Sequence, residues 1–265
     1  MKGIILSHSN ISTISIYEHT NNASADIEIF GFKNLAAQIF QKDEIKRVCS
    51  QVLHITDLPK HRHFLINAEH KLLYCWIHKV ASTSWIALFS HLAHRTNIDK
   101  YYKEINILSP QTREQLYDAI RDNKYYKLIV VRHPFERIVS AYRDRIEDNS
   151  KYTSQAWMYV PRIFRVTRPM LRKHLIFNST YHPRLLIVPT FQEFITWLIK
   201  VPPITYDVHW NRYFDHCHPC NIKYDAVVQI DHFDQHEELL LMHDMGLDRL
   251  NLSLKNIHKN IWRSN

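Results

Sequence analysis

The sequence predicts an α/β fold, a central parallel sheet flanked by helices, built as one domain. Three observations carry this. A chain of 265 residues with 45% hydrophobic side chains suffices for one sizeable core but would leave two small ones. Two short apolar runs are each followed by a turn and then an amphipathic helical stripe. Two further apolar runs later in the chain are followed by helical patterns of their own.

In chain order, residues 1–35 are polar and weakly patterned and read as a poorly ordered lead-in to a domain spanning 36–265. Residues 36–50 carry apolar positions at helical spacing. The run Leu72-Leu73-Tyr74-Cys75-Trp76-Ile77 is bounded by polar residues, as a buried strand should be. After His78–Ser84, the residues Trp85, Leu88, Phe89 and Leu92 recur at i, i+3, i+4 and i+7. The second unit is Leu128-Ile129-Val130-Val131, then Arg132-His133-Pro134, then the stripe Phe135, Ile138, Val139, Tyr142 and Ile146. Pro134 suits a first helical turn, where its missing N–H costs nothing. Leu185–Val188 and Ala226–Ile230 are the remaining strand candidates, with helices over 191–199 and 234–245. No repeat, low-complexity tract or linker divides the chain. The three glycines, Gly3, Gly31 and Gly246, sit in neither turn, so close backbone approaches must be made without a glycine-rich loop.

The chemistry concentrates in the two turns. In an open α/β sheet, ligands bind beyond the carboxyl ends of the strands. A helix N-terminus there offers free N–H groups and partial positive charge to an anion. In the first turn, Ala81, Ser82, Thr83 and Ser84 are small or hydroxylated, and Lys79 adds a mobile positive charge that could neutralise a leaving oxygen. The alternative is a well-capped helix with a surface lysine. In the second, Arg132 ends a buried strand and Ser140 lies two helical turns further on, a fork and a hydroxyl suited to a second phosphate. The alternative is that Arg132 pairs with Glu136 or Asp144. Two such turns after buried strands point to a ligand with two separate anionic groups.

Composition narrows the partners. Lys and Arg exceed Asp and Glu by 34 to 26, a net charge of +8 that draws anions. The basic residues are expected in ordered turns rather than in a run or stripe, which argues against nucleic acid. There is no G-x-x-x-x-G-K-[ST] and no clear acidic strand end for magnesium, which argues against a nucleotide kinase. Cys217-His218-Pro219-Cys220 could be a redox pair, half of a zinc site with His209 or His216, or structural, through a local loop constraint or bridges to Cys49 and Cys75. A second Cys pair at matching spacing is missing, so the structural role is expected and no metal. Triplets for N-glycosylation begin at Asn10, Asn22, Asn178 and Asn251. The N-terminal MKGIILSHSNISTISIYEHT has neither the roughly 7–15-residue apolar core of a signal peptide nor the roughly 20-residue run of a membrane span. Membrane association is therefore expected only through an anchor missing from this chain.

YCWIHKVASTSW (74–85), RHPFERIVSAYRDR (132–145) and DVHWNRYFDHCHPCNIKYD (207–225) resemble motifs of the Golgi carbohydrate sulfotransferases. The branch is that of the chondroitin and dermatan 4-O-sulfotransferases and the HNK-1 sulfotransferase. VPTFQEFITWLI (188–199) and Arg47-Val48-Cys49 also fit, so the resemblance runs from about residue 45 to the end. It implies a P-loop-like three-layer fold and 3'-phosphoadenosine-5'-phosphosulfate (PAPS) as donor. It implies an acidic glycan or glycosaminoglycan as acceptor and a setting on the lumenal face of the Golgi membrane. By position, His78, Lys79, Val80, Ala81, Ser82, Thr83 and Ser84 would hold the 5' side. Arg132, His133, Pro134, Phe135, Glu136, Arg137, Ile138, Val139 and Ser140 would hold the 3' phosphate. His78 stands where the family usually has proline, Ser82 where it has cysteine, and Ser84 where asparagine is common. KVASTS is also similar to heparan and uronyl 2-O-sulfotransferases, which leaves that acceptor class open, as well as a catalytically degenerate glycan-binding homologue. Sulfuryl transfer to a hydroxyl gains from a general base. His209 is the first candidate, beside an aromatic, Trp210, that could stack on a sugar; His78 is the second.

Overall fold

Leu72–Cys75 is buried at every position, and because successive strand side chains point to opposite faces, both faces of the sheet must be covered. This segment is β2 of a four-stranded sheet in the order β1-β2-β3-β4, with β1 Phe64–Asn67, β3 Tyr126–Val131 and β4 Ala226–Gln229. In this computed structural model the described residues are 43–51, 59–95, 101–148, 150–151, 153–172, 175–177, 185–250, 252 and 254. The expected lead-in (1–35), residues 36–42 of the first predicted helix and all four glycosylation triplets start outside them.

β2, β3 and β4 run parallel, with Cys75 opposite Ile129 and Val131 opposite Gln229. β1 pairs antiparallel with β2, so the sheet is mixed with a parallel centre. This edge strand was not expected: four residues after a histidine-rich turn carry too little period to be seen alone. The predicted strand 72–77 ends at Cys75, and Trp76 and Ile77 leave the ladder while staying buried. Leu185–Val188 is not a sheet strand. Leu185 makes one antiparallel bridge with Phe177, and Leu186 is 57% exposed, so this apolar run packs on the helices instead.

The helices are α1 (43–49), α2 Ser82–Leu92, α3 Tyr101–Leu108, α4 Arg113–Arg121, α5 Pro134–Tyr142, α6 Ser154–Thr167, α7 Phe191–Lys200, α8 Phe214–Cys217 and α9 Gln235–Asp244. α5 runs on into a π-type turn, Arg143–Glu147. One hydrophobic core joins the sheet to α2, α3, α4 and α9; a second is built by α5, α6 and α7 around Phe194, Trp197 and Trp210. Two disulfides tie distant parts to the sheet end, Cys75–Cys217 and Cys49–Cys220. The C-x-x-C cysteines thus bridge outward to Cys75 and Cys49, not to each other. No cluster of metal-ligating side chains occurs among the described residues.

Candidate active site

Because β2 and β3 are adjacent and parallel, the turns that follow them lie side by side at one end of the sheet. The first turn takes left-handed backbone at two non-glycine residues, Lys79 (φ 71°) and Ala81 (φ 58°). Each costs on the order of 1–2 kcal/mol and persists only where the surroundings hold it, a pattern that clusters at functional sites. Val80 between them is fully buried and anchors the turn.

The helix starts differ in a telling way. α4, α6, α7 and α9 are capped by the side chains of Thr112, Thr153, Thr190 and Asp234. α2, starting after Ala81, and α5, starting after His133, have no side-chain cap. A helix start without a side-chain cap can take an outside acceptor at its first N–H groups. Beside α2, the Ser82 hydroxyl meets Tyr101 Oη at 2.8 Å, Ser84 N–H donates to Ala81 O at 3.0 Å, and Thr83 is exposed.

Lys79 is bound by Asp144, two residues beyond the end of α5. Asp144 also takes Lys151 Nζ at 2.7 Å and Arg145 Nε at 2.9 Å. Burial alone would raise the Asp144 pKa, but the hydrogen bonds from Lys151 and Lys79 and the charge of Arg145 hold it well below the carboxylate range. Burial draws the Lys79 ammonium down despite Asp144, because Arg145 and Lys151 add repulsion. Lys151 also pairs with Asp148 at 3.1 Å, so the cluster sets three cations against two carboxylates and keeps a net positive charge.

In the second turn Arg132 is partly exposed, with Nε 3.5 Å from Asp231 Oδ1 and a longer approach of 3.7 Å to the exposed Glu136. Asp144 is not its partner. Arg132 Nε is buried and makes no hydrogen bond among the described residues. Tyr213 Oη fixes the Arg132 backbone, accepting from its N–H and donating to its carbonyl at 3.0 Å each. His133 N–H donates to Asp231 Oδ2 at 2.5 Å, and Phe135, 73% exposed, lies against the His133 ring. Ile138 packs on the second core, and Val139 and Ser140 are half-buried.

Arg137 is the exception among these residues. It is buried and spends its fork inside the protein, donating to His78 O (3.0 Å), Asn211 O (2.6 Å) and Val208 O (3.4 Å). Its guanidinium also lies over the Tyr213 ring at 4.8 Å. It therefore joins three segments: the first turn, α5 and the 208–213 loop.

That loop delivers His209. Its Nδ1 lies 2.5 Å from Asp207 Oδ1, which also accepts the His209 N–H, and Gln155 Nε2 of α6 donates to Asp207 Oδ2 at 3.3 Å. His209 Nε2 is buried and makes no hydrogen bond among the described residues. Burial pulls the imidazole below its ordinary pKa, outweighing Asp207, with Arg145 and Lys79 pushing the same way. The His78 ring lies 4.2 Å from that of His209 between centroids, and burial, then the charge of His209, lowers the His78 pKa to about 2. Trp210 is buried against Tyr159 and Phe194, so it is a core residue and not a stacking platform for a sugar.

The structure thus brings Lys79, His78 and His209 together and sets Arg132 at the neighbouring strand end. Asp144, Arg145 and Asp207 were not singled out as site residues. Asp207 had a signal in the sequence, an Asp two residues before the candidate base; Asp144 and Arg145 had only their place in the second motif.

A model of the sulfotransferase family matches residues 62–263. Carbohydrate sulfotransferase 11 of Rattus norvegicus is 28% identical over 200 residues, covering 68% of this chain and 52% of the relative. Carbohydrate sulfotransferase 14 of Danio rerio is 25% identical over 237 residues (84% and 60%). Carbohydrate sulfotransferase 12 of Xenopus laevis is 26% identical over 229 (73% and 51%). The chain spans about half the length of the curated relatives it matches. No solved structure matches it.

Proposed function

Since the chain belongs to the sulfotransferase family, we propose that it transfers a sulfuryl group from PAPS to a hydroxyl of a glycan. The observation that carries this is the pair of uncapped helix starts after adjacent parallel strands, one beside Lys79 and the other beside Arg132. Such a pair fits a nucleotide with two anionic ends. The Ser82 and Thr83 N–H groups and Lys79 receive the 5' phosphosulfate; Arg132 and the start of α5, with Ser140, receive the 3' phosphate. Arg132 is partly exposed and only loosely paired, at 3.5 Å with Asp231 and 3.7 Å with Glu136, which suits a fork that can turn to an anionic ligand.

Lys79 neutralises charge on the bridging oxygen as the sulfuryl group departs, and such a preorganised donor contributes roughly 10²–10³ in rate. Asp144 keeps the ammonium in place until the donor competes for it. His209, held as the neutral imidazole by burial and oriented through Nδ1 by Asp207, takes the acceptor proton at Nε2. Arg137 acts as a positioning residue, locking the Lys79 turn to the His209 loop.

Two disulfides support folding in an oxidising compartment, which agrees with a Golgi lumenal setting. The named activities of the relatives support a carbohydrate acceptor.

Calorimetric titration with 3',5'-adenosine bisphosphate tests the donor site. The wild-type protein is expected to bind at micromolar affinity, and Arg132→Ala to weaken this by roughly 10-fold or more, as loss of a charge-assisted contact should. No binding by the folded wild-type protein would sink the PAPS reading.

A further inference from the structure

The basic surplus is not where the two turns alone would put it. From residue 149 to residue 192 the chain has seven lysines and arginines and no aspartate or glutamate, against a net +8 for all 265 residues. The expectation that basic residues gather in the turns is therefore corrected: most of the surplus sits in one stretch, whose helical part is α6.

On α6, Gln155, Met158, Arg162 and Arg165 fall at i, i+3, i+7 and i+10, one face of the helix. The stripe begins at the reaction centre, because Gln155 donates to Asp207, the partner of His209. It then runs outward over exposed residues: Met158 is 45% exposed, and Arg162 and Arg165 are exposed too. The Arg162 guanidinium lies over the Tyr159 ring at 5.2 Å, and Tyr159 packs edge-on against Trp210, the neighbour of His209. Among the described residues neither Arg162 nor Arg165 forms an ion pair, whereas Arg168 forks onto Glu193 and Arg145 pairs with Asp144. Gln155 to Arg165 spans about 15 Å along the axis, room for several sugar rings.

We propose that this face of α6 is the acceptor track, on which Arg162 and Arg165 bind the carboxylates or sulfate esters of an anionic polysaccharide whose reacting hydroxyl lies at the His209 end. The proposal rests on the sulfotransferase reading and deepens it. Planar guanidinia with no carboxylate partner among the described residues suit such groups, and the absence of acidic side chains across the stretch keeps repulsion low. Selectivity then comes from charges on sugars beyond the reacting one.

The test uses the whole chain and two charge-matched double variants, Arg162→Ser with Arg165→Ser on α6, and Arg113→Ser with Arg121→Ser on α4. Kd is measured for unsulfated chondroitin, heparin and neutral dextran, beside adenosine bisphosphate. The α6 variant is expected to bind the acidic polymers on the order of tenfold more weakly, with a shallower salt dependence, and the nucleotide as before. With PAPS, KM for the acidic acceptor should rise while kcat holds within about twofold, the mark of lost uniform binding. Equal losses in the α4 variant, unchanged affinity in the α6 variant, or binding of neither acidic polymer by the wild type would overturn the track. Failure of the nucleotide to bind, with the α6 effect intact, would remove the transfer reaction and leave an anionic-glycan-binding face.

Discussion

At the scale of single residues, the geometry around His209 separates orientation from basicity. Asp207 accepts at Nδ1 and fixes the tautomer whose Nε2 can take a proton. Asp207→Asn is expected to lower kcat by about 10²-fold or more, in the range a general base supplies, with adenosine bisphosphate affinity unchanged. Because the two residues act as a unit, Asp207→Asn combined with His209→Ala should be no slower than His209→Ala alone. Steady-state kinetics of the three variants check this, and additive losses would show that the two act separately. Lys79 is the residue proposed to neutralise the leaving oxygen, and its left-handed backbone (φ 71°) lies just before the start of the eleven-residue α2.

At the scale of elements, α5 does two things. Its uncapped start serves the second turn, while Arg137, one turn in, holds the neighbouring loops through three carbonyls. Removing that guanidinium takes the donor from the buried His78 carbonyl and from the part-buried carbonyls of Asn211 and Val208. Arg137→Ala is expected to destabilise the fold by about 3–5 kcal/mol. Arg137→Lys should recover only part of it, because an ammonium cannot reproduce a planar fork. Urea unfolding of both variants measures this. A loss within about 0.5 kcal/mol, usual for an unremarkable surface site, would mean the three bonds do not bind the elements together.

At the scale of the whole molecule, two disulfides and several buried histidines set the conditions under which the fold survives. Cys75–Cys217 and Cys49–Cys220 span 142 and 171 residues, and chain-entropy reasoning gives about 5 kcal/mol for closing the first such loop. Burial lowers the pKa of His63 to about 4, of His216 to about 3 and of His78 to about 2. All three are depressed in the folded state, so the unfolded chain binds the extra protons. Stability is therefore full above the ordinary histidine range near pH 6.5 and falls as the pH drops toward 4. The three together give a slope of about 4 kcal/mol per pH unit where the unfolded histidines are charged and the folded ones are not. Denaturant midpoints at pH 7.5, 6.5, 5.5 and 4.5 should fall steeply over the last two steps. A flat profile would mean that these imidazoles are solvated in the folded protein.

What the sequence alone determined is local and periodic. The runs 72–77, 128–131 and 226–230 hold the strands Leu72–Cys75, Tyr126–Val131 and Ala226–Gln229 to within two residues, because short apolar segments between polar ones suit a sheet interior. The helices after them follow from 3.6-residue stripes, and Pro134 marks a helix start through its own backbone. The two turns, Lys79 and Arg132 among them, were legible for the same reason: strand, turn and helix are contiguous. Tertiary structure decided what contiguity does not encode. Asp144 reaches Lys79 across 65 residues, Arg137 reaches the loop of Asn211 across 74, and each cysteine of the C-x-x-C finds its partner on another element. The same holds for Leu185–Val188, apolar enough for a strand, yet placed against helices. Such pairings depend on which surfaces meet when two cores pack, and side-chain pattern along one segment carries no term for the segment it will meet.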